Sequence, residues 1–367
     1  MEDIITCVFC DEELNEEDVV CFDDTLMCRD CFDEQTTICD CCSTRIWNEN
    51  SEGNSDITLC SHCYEYSYTH CENCNALIHN DDACYDDDSD YPYCRDCYDK
   101  IQESCIKSYN YKPEPTFYGS GNLFYGIELE IDKGGEDNAH AEQLLHIANA
   151  RDNVLYAKHD GSIDNGFELV SEPATIDYHL NEFNWADVLE AAINMGYRSH
   201  NTNTCGLHVH CSRSAFGKDR DEQDIAIARI VHFVEKHWNE LIKVSRRTQN
   251  NLDRWAARYC TIAAEVQETY KKAKEKHLGR YVAVNLDNYS TIEFRLFRGT
   301  LRYSTFVATL QLVDEICNLA INLSDKEIES MSWADFVAGI QEKPELIYYL
   351  KSKRLYVNEC IEETEEM

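Results

Sequence analysis

The stretch "CGLHVHC" (residues 205–211) sets two histidines and two cysteines within seven residues. Read as a tight turn it would be a zinc knuckle. Read as a β-strand, successive side chains point to opposite faces. His208 and His210 then share one face, while Leu207, Val209 and Cys211 share the other. On a regular strand no single ion can be held by His208, His210 and Cys211 together. The strand reading therefore makes Cys205 and Cys211 small core residues.

Two further stretches alternate in the same way. "GIELEI" (126–131) puts Glu128 and Glu130 on one face, against Ile127, Leu129 and Ile131 on the other. "TIEFRLF" (291–297) puts Glu293 and Arg295 against Ile292, Phe294 and Leu296. Each predicted strand turns one face to a core and one to something polar. A solvated surface strand would account for one such pair, but three pairs point to a shared site. "KHDGSIDNGFELVSEP" (158–173) adds Asp160 and Glu168. Carboxylates with imidazoles suit Mg²⁺ or Mn²⁺, which prefer oxygen ligands. An arginine on the face of a metal-ligating glutamate suits a phosphate, because its planar fork matches phosphate oxygens in pairs. Arg298 and Arg302 follow closely. No GxxxxGK[ST] loop is present, so any nucleotide chemistry is not of the P-loop kind.

Around these strands the texture is mixed. Strands are predicted at 123–131, 153–160 and 166–173, with a hairpin at 280–299. Helices are predicted at about 141–150, 182–195 and 304–323, with a long amphipathic helix over 224–244. In that last helix Ile227, Ile230, Val234, Trp238 and Leu241 recur at three- and four-residue steps. Few clean βαβ units are visible, which predicts an α+β domain with a mainly antiparallel sheet.

Most of the 21 cysteines lie in the first third and repeat. The pairs Cys7/Cys10 and Cys28/Cys31, Cys39/Cys42 and Cys60/Cys63, and Cys71/Cys74 and Cys94/Cys97 form three units that start 32 residues apart. Two residues between cysteines let both thiolates reach one ion, and two such pairs close a tetrahedral site. Three structural zinc ions are therefore expected, supplying much of the folding energy of units this short. The aromatic after each closing pair, Phe32, Tyr64 or Tyr98, is expected to pack on its module. Cys21, Cys41, Cys84 and Cys105 are left over and read as small buried residues. The layout resembles treble-clef or LIM-type zinc modules in spacing. The domain boundaries read as modules at 1–34, 35–66 and 67–108, a linker at 109–122, a catalytic domain at 123–325 and a helical tail at 326–367.

The chain of 367 residues carries 33 Lys and Arg against 69 Asp and Glu, a net charge of −36. Residues 1–110 hold 28 acidic and 5 basic side chains. This field disfavours nucleic acid and anionic membranes as partners and leaves protein recognition as the expected role of the modules. No apolar run approaches a membrane span, and the start lacks a signal-peptide pattern. A cytoplasmic protein is expected, in a host's cytoplasm if the source is viral.

Taken in order, "YGIELEI", "DGSI…FELVSEP", "CGLHVHCS" and "TIEFRLFRGTL" resemble the amidoligase family, within the glutamine synthetase and glutamate–cysteine ligase superfamily, over about residues 118–325. Members occur in phages and bacteria, some with added cysteine-rich modules. The resemblance implies a glutamine synthetase-like sheet wrapping the active site, and an ATP-dependent ligase joining a carboxylate to an amine through an acyl phosphate. Both substrates would be small molecules, peptides or proteins. Carried over by motif, Glu128, Glu130, Glu168, His208 and Glu293 would bind the metals. His208, His210 and Ser212 would sit at the nucleotide, and Arg295 and Arg298 would hold phosphate. Asp160 matches an acidic position of the family. Glu172 stands where relatives carry a small residue or proline, and it or Asp160 would accept the amine's proton. Two other classes compete: a metal hydrolase of the amidohydrolase type, which needs more strand–helix units than are visible, and a non-catalytic adaptor with a degenerate ligase domain.

Overall fold

The computed structural model describes residues 5–85, 90–202 and 204–356, and the chain divides into two compact units, 1–103 and 104–367. The acidic end of the tail, from residue 357, lies outside the described residues.

The first unit repeats one small motif three times. In the first copy the strands Ile5–Thr6 and Glu13–Leu14 pair, as do Val20–Phe22 and Thr25–Met27, before a helix at Arg29–Gln35. The second copy repeats this with hairpins Thr36–Ile38/Arg45–Trp47 and Ser51–Gly53/Thr58–Cys60 and a helix at Ser61–Ser67. The third has the hairpin Tyr68–His70/Leu77–His79 and a helix at Arg95–Glu103. The first closing cysteine doubles as a helix cap in two copies: Cys28 Sγ accepts from Cys31 N–H and Cys60 Sγ from Cys63 N–H. The buried cores are little more than the cysteines themselves, with Met27, Leu59 and Tyr93 added one per copy. Phe32, Tyr64 and Tyr98 pack half-buried against them, as the spacing predicts.

The four leftover cysteines depart from expectation. Cys21 and Cys41 are exposed, and Cys84 and Cys105 are only half-buried. A two-stranded hairpin has one face too many for so small a core: Cys21 lies opposite Leu26 on the outward side.

The second unit is built on a seven-stranded sheet. Its strands are β1 (Ile106–Lys107), β2 (Tyr125–Ile131), β3 (Leu155–Lys158), β4 (Phe167–Ser171), β5 (Gly206–Ser212), β6 (Val284–Asn285) and β7 (Thr291–Arg298), in the spatial order β1-β3-β4-β2-β5-β7-β6. Only β1 and β3 pair in parallel. The α+β class with a mainly antiparallel sheet is therefore as predicted.

Alternation decides which way each strand faces. Tyr125, Ile127, Leu129 and Ile131 of β2, and Leu207, Val209 and Cys211 of β5, enter one core. The helix α1 (Asn138–Ala148), α2 (Trp185–Asn194) and α7 (Tyr303–Asn322) contribute to the same core. Trp185 stacks on Phe306 at 4.6 Å, and Cys211 Sγ lies 3.6 Å from Cys317 Sγ. Cys205 is buried too, so both cysteines of the opening stretch are core residues.

The long predicted helix is broken. Asp219 caps an earlier start, giving α3 (Arg220–Lys236), and His237 leaves helical geometry before α4 (Trp238–Ser245). The buried His237 ring packs on Phe233 and Trp333 there, so tertiary packing overrides the periodicity. The five apolar residues named for this stretch are nonetheless buried. The helices α5 (Gln249–Trp255) and α6 (Val266–Glu275) were not foreseen. The tail folds into α8 (Asp325–Ser330), α9 (Trp333–Gly339) and α10 (Pro344–Ser352), and Leu346 and Leu350 of α10 join the main core. Among the described residues no helix is long and apolar enough to cross a membrane.

Candidate active site

The sheet face opposite the core carries the polar pairs. Strand register fixes their order: Glu130 lies opposite Glu168, Glu128 opposite His208, and His210 opposite Glu293. Four strands thus set six ligand-type side chains side by side. His208 Nδ1 lies 3.3 Å from Glu128 and 3.6 Å from Glu293, and its Nε2 lies 3.8 Å from Glu130. His210 Nε2 lies 3.0 Å from Glu128 and 3.9 Å from Glu293. Glu130, Glu168, His208 and Glu293 are each no more than 5% exposed.

Among the groups with ligand atoms within 4.8 Å of one another are Glu128, His210 and Glu293, and Glu128, Glu168 and His208. Glu128 belongs to both. Such a density of buried carboxylates is unfavourable without a cation. Burial, then the charges of Glu128 and Glu130, push the Glu168 carboxyl well above its ordinary range. Burial also raises Glu130, with His208 opposing. Burial would raise Glu128 as well, but His210 and His208 outweigh it and hold it well below the usual carboxylate range. In return, Glu128 and Glu293 overcome the effect of burial on His210 and raise it to about 9. A hard divalent cation fits this donor set of carboxylate oxygens and imidazoles.

Strand β7 is bulged. Val209 pairs with Phe294 but Leu207 with Phe297, so β7 carries one extra residue there. The bulge buries Phe297 and returns Arg298 to the polar face opposite Gly206. Simple alternation would have sent Arg298 to the core side. Arg295 Nη1 donates to Glu293, and Asn285 Nδ2 donates to the same carboxylate at 2.9 Å. Arg298 Nη2 donates to Asn201 Oδ1 at 2.9 Å. Asp160 accepts from the Ser162 N–H at 2.7 Å and lies close enough for its charge to raise Glu130 and Glu168. Ser212 Oγ accepts from the Phe124 N–H at 3.1 Å. The Glu172 carboxylate accepts from the Thr116 N–H at 2.9 Å, which ties it to the backbone before β2.

A cleft of about 710 Å³ opens beside the Glu128 end of the cluster. Gly126, Glu128, His210, Ser212 and Thr291 form its inner end, and its walls include Phe117, Phe124 and Tyr289. Phe117 and Phe124 meet edge to face at 4.9 Å. Its size and mainly apolar lining suit a small organic ligand.

Two site residues have no signal in the motifs. Asn285 reaches Glu293 from β6. Arg247, in the turn after α4, passes its guanidinium over Gly206 and donates from Nε to Phe297 O at 3.1 Å. The basic pair Arg246–Arg247 ending an amphipathic helix was the available sign, but nothing in its spacing ties it to β5 or β7.

In the first unit the cysteine pairs converge as their spacing requires. The four cysteines of each repeat form a cluster, and Sγ–Sγ distances of 3.8 Å separate Cys10 from Cys28, Cys42 from Cys60 and Cys74 from Cys94. Sulfurs placed tetrahedrally about 2.3 Å from a zinc ion have edges of about 3.8 Å, far longer than a disulfide's ~2 Å. All three clusters could hold zinc.

A family model described as "Putative amidoligase enzyme" matches residues 148–317, just under half of the chain. No curated protein matches the chain significantly. The matched span holds Glu168, His208, His210, Glu293, Arg295 and Arg298, while Glu128 and Glu130 precede it. That match supports the amidoligase family and, with it, an enzyme of ligase type.

Proposed function

We propose that the second unit is a glutamine synthetase-like, ATP-dependent ligase that joins a carboxylate to an amine through an acyl phosphate. The observation that carries this reading is the sharing of Glu128 between two largely buried carboxylate–imidazole groups at the inner end of the cleft. Divalent cations held by Glu128, Glu168 and His208, and by Glu128, His210 and Glu293, would neutralise charge on the phosphoryl group in transfer. The aromatic cleft takes the nucleoside, with Ser212 and His210 beside it. The substrate carboxylate displaces ADP from the terminal phosphorus. The amine then attacks the acyl carbon, phosphate leaves, and one proton is lost. Asp160 or Glu172 would accept that proton. Arg295 and Arg298 balance the developing phosphoryl charge.

Hydroxylamine is a general amine probe for this chemistry. With Mg²⁺, ATP and a panel of carboxylates, hydroxamate and ADP should form together, and Glu128→Gln should abolish both. Hydroxamate formation that proceeds without ATP, or that is indifferent to Glu128→Gln, would exclude the ligase reading. The zinc modules, acidic and small-cored, serve protein recognition in this proposal. Deleting residues 1–103 without any change in substrate choice or rate would remove that role.

A further inference from the structure

Three copies of one small fold can be compared position by position. In each, the first residue between the opening cysteines donates its N–H to a carbonyl of the segment leading to the closing pair. Val8 donates to Leu26 O at 3.2 Å, Asp40 to Thr58 O at 2.8 Å and Glu72 to Pro92 O at 2.9 Å. These bonds align Val8 with Asp40 and Glu72, Phe9 with Cys41 and Asn73, and Leu26 with Thr58 and Pro92. The second and third copies each place an acid and another polar residue at this tip. The first copy places none.

Val8, Phe9 and Leu26 are 64%, 45% and 37% exposed. Cys21, opposite Leu26 on the outward side of the hairpin, is exposed beside them. Trp47 supports the patch from below: its ring meets Phe9 at 6.0 Å and Phe22 at 5.2 Å, and its Nε1–H donates to Asp23 at 3.0 Å. Single exposed apolar side chains are ordinary, but a contiguous group rimmed by charge marks an interaction surface.

The rim selects the occupant. Residues 5–35 carry 11 acidic side chains, all exposed, against one basic side chain, Arg29. Asp11 follows the Cys7–Cys10 loop, and Asp23 and Asp24 form the turn before Leu26. Such a field repels phosphate backbones and anionic membranes. It equally repels a second copy of this chain, at a net charge of −36, and the chain's own end, with five glutamates in residues 357–367. It attracts a cationic partner.

We propose that Val8, Phe9, Leu26 and Trp47 form a docking surface for a Lys- or Arg-rich protein segment that lays a large apolar side chain on the patch. The proposal rests on the recognition role given above to the modules, and adds the surface and the partner's chemistry.

The test is a selection from a random peptide display library on the full chain in zinc-containing buffer. Selected peptides should combine Lys or Arg with an aromatic or aliphatic residue. Binding of labelled synthetic copies, read by fluorescence anisotropy, should weaken at least about tenfold in Val8→Asp and in Phe9→Asn. The other copies carry these residues at the same places, so both variants should keep the wild-type amide protection over residues 5–35. Replacing the peptide's apolar residue by serine should cost as much, and affinity should fall as salt rises from about 0.05 to 0.5 M. Bound peptide should also slow the alkylation of Cys21. Selected peptides that are acidic or uncharged, basic peptides that bind whatever their apolar residue, or binders indifferent to both variants would overturn the proposal. Indifferent binders would leave the recognition role standing on another surface, whereas a selection that yields no binder would remove both.

Discussion

Removing one zinc ligand should unfold one module and leave the rest. Take Cys10→Ser, at an exposed sulfur 3.8 Å from Cys28 Sγ. Among the described residues of that module's hydrophobic core, Met27 is the only buried one that is not a cysteine. Burying such a side chain stabilises by about 1.5–3 kcal/mol. Structural zinc supplies about 10–16 kcal/mol, several times as much. Without its metal the module cannot hold its two hairpins together. The change should also be visible at Trp47. This ring packs on Phe22 at 5.2 Å and Phe9 at 6.0 Å, and its Nε1–H donates to Asp23. Metal analysis should therefore fall from three zinc per chain to two. Amide protection should vanish over residues 5–35, and Trp47 emission, isolated by difference from Trp47→Phe, should shift to the red. The second unit's melting should not move. A Cys10→Ser protein that keeps its amide protection and its Trp47 environment would refute the claim that metal, rather than core, folds these modules.

Other consequences are as direct. Glu128→Gln should lower Mg²⁺ affinity at least about tenfold by titration calorimetry while leaving the circular dichroism unchanged, because one carboxylate serves both groups. Cys211→Ser should cost about 1–3 kcal/mol in urea unfolding and leave kcat unaltered, since its sulfur faces Cys317 in the core rather than the polar face. His179 is buried, with Nε2 on Tyr125 O and Trp185 Nε1–H donating to Nδ1, and burial lowers it to about 4. Its neutral form belongs to the fold and the unfolded chain binds the proton near pH 6.5. Its contribution is thus full above that pH, and about 3 kcal/mol is lost as pH falls from 6.5 to 4. Unfolding curves across this window should show a component that disappears in His179→Gln.

What could be read from the sequence was whatever depends on period. The two-residue alternation in 125–131 and 206–212 gave the face of every side chain, and so the meeting of Glu128 with His208. The cysteine spacing gave the clusters. What escaped depends on contacts between distant segments. The extra residue in β7 leaves no mark in "TIEFRLF", yet it decides the facing of Arg298. Arg247 reaches the site only because a helix interrupted at His237 delivers it there. The bond of Glu172 to the Thr116 N–H has no sign in its motif. Cys21, Cys41 and Cys84 were misplaced because burial was inferred from residue type, and a repeat of this size has little interior to offer.

The central claim is that ATP activates a carboxylate by phosphorylating it. A carboxylate found in the hydroxamate screen, labelled with ¹⁸O in both oxygens, tests it at the bond concerned. One labelled oxygen should pass from the carboxylate to the released phosphate for every amide formed. Phosphate that carries no label while amide accumulates would contradict the account.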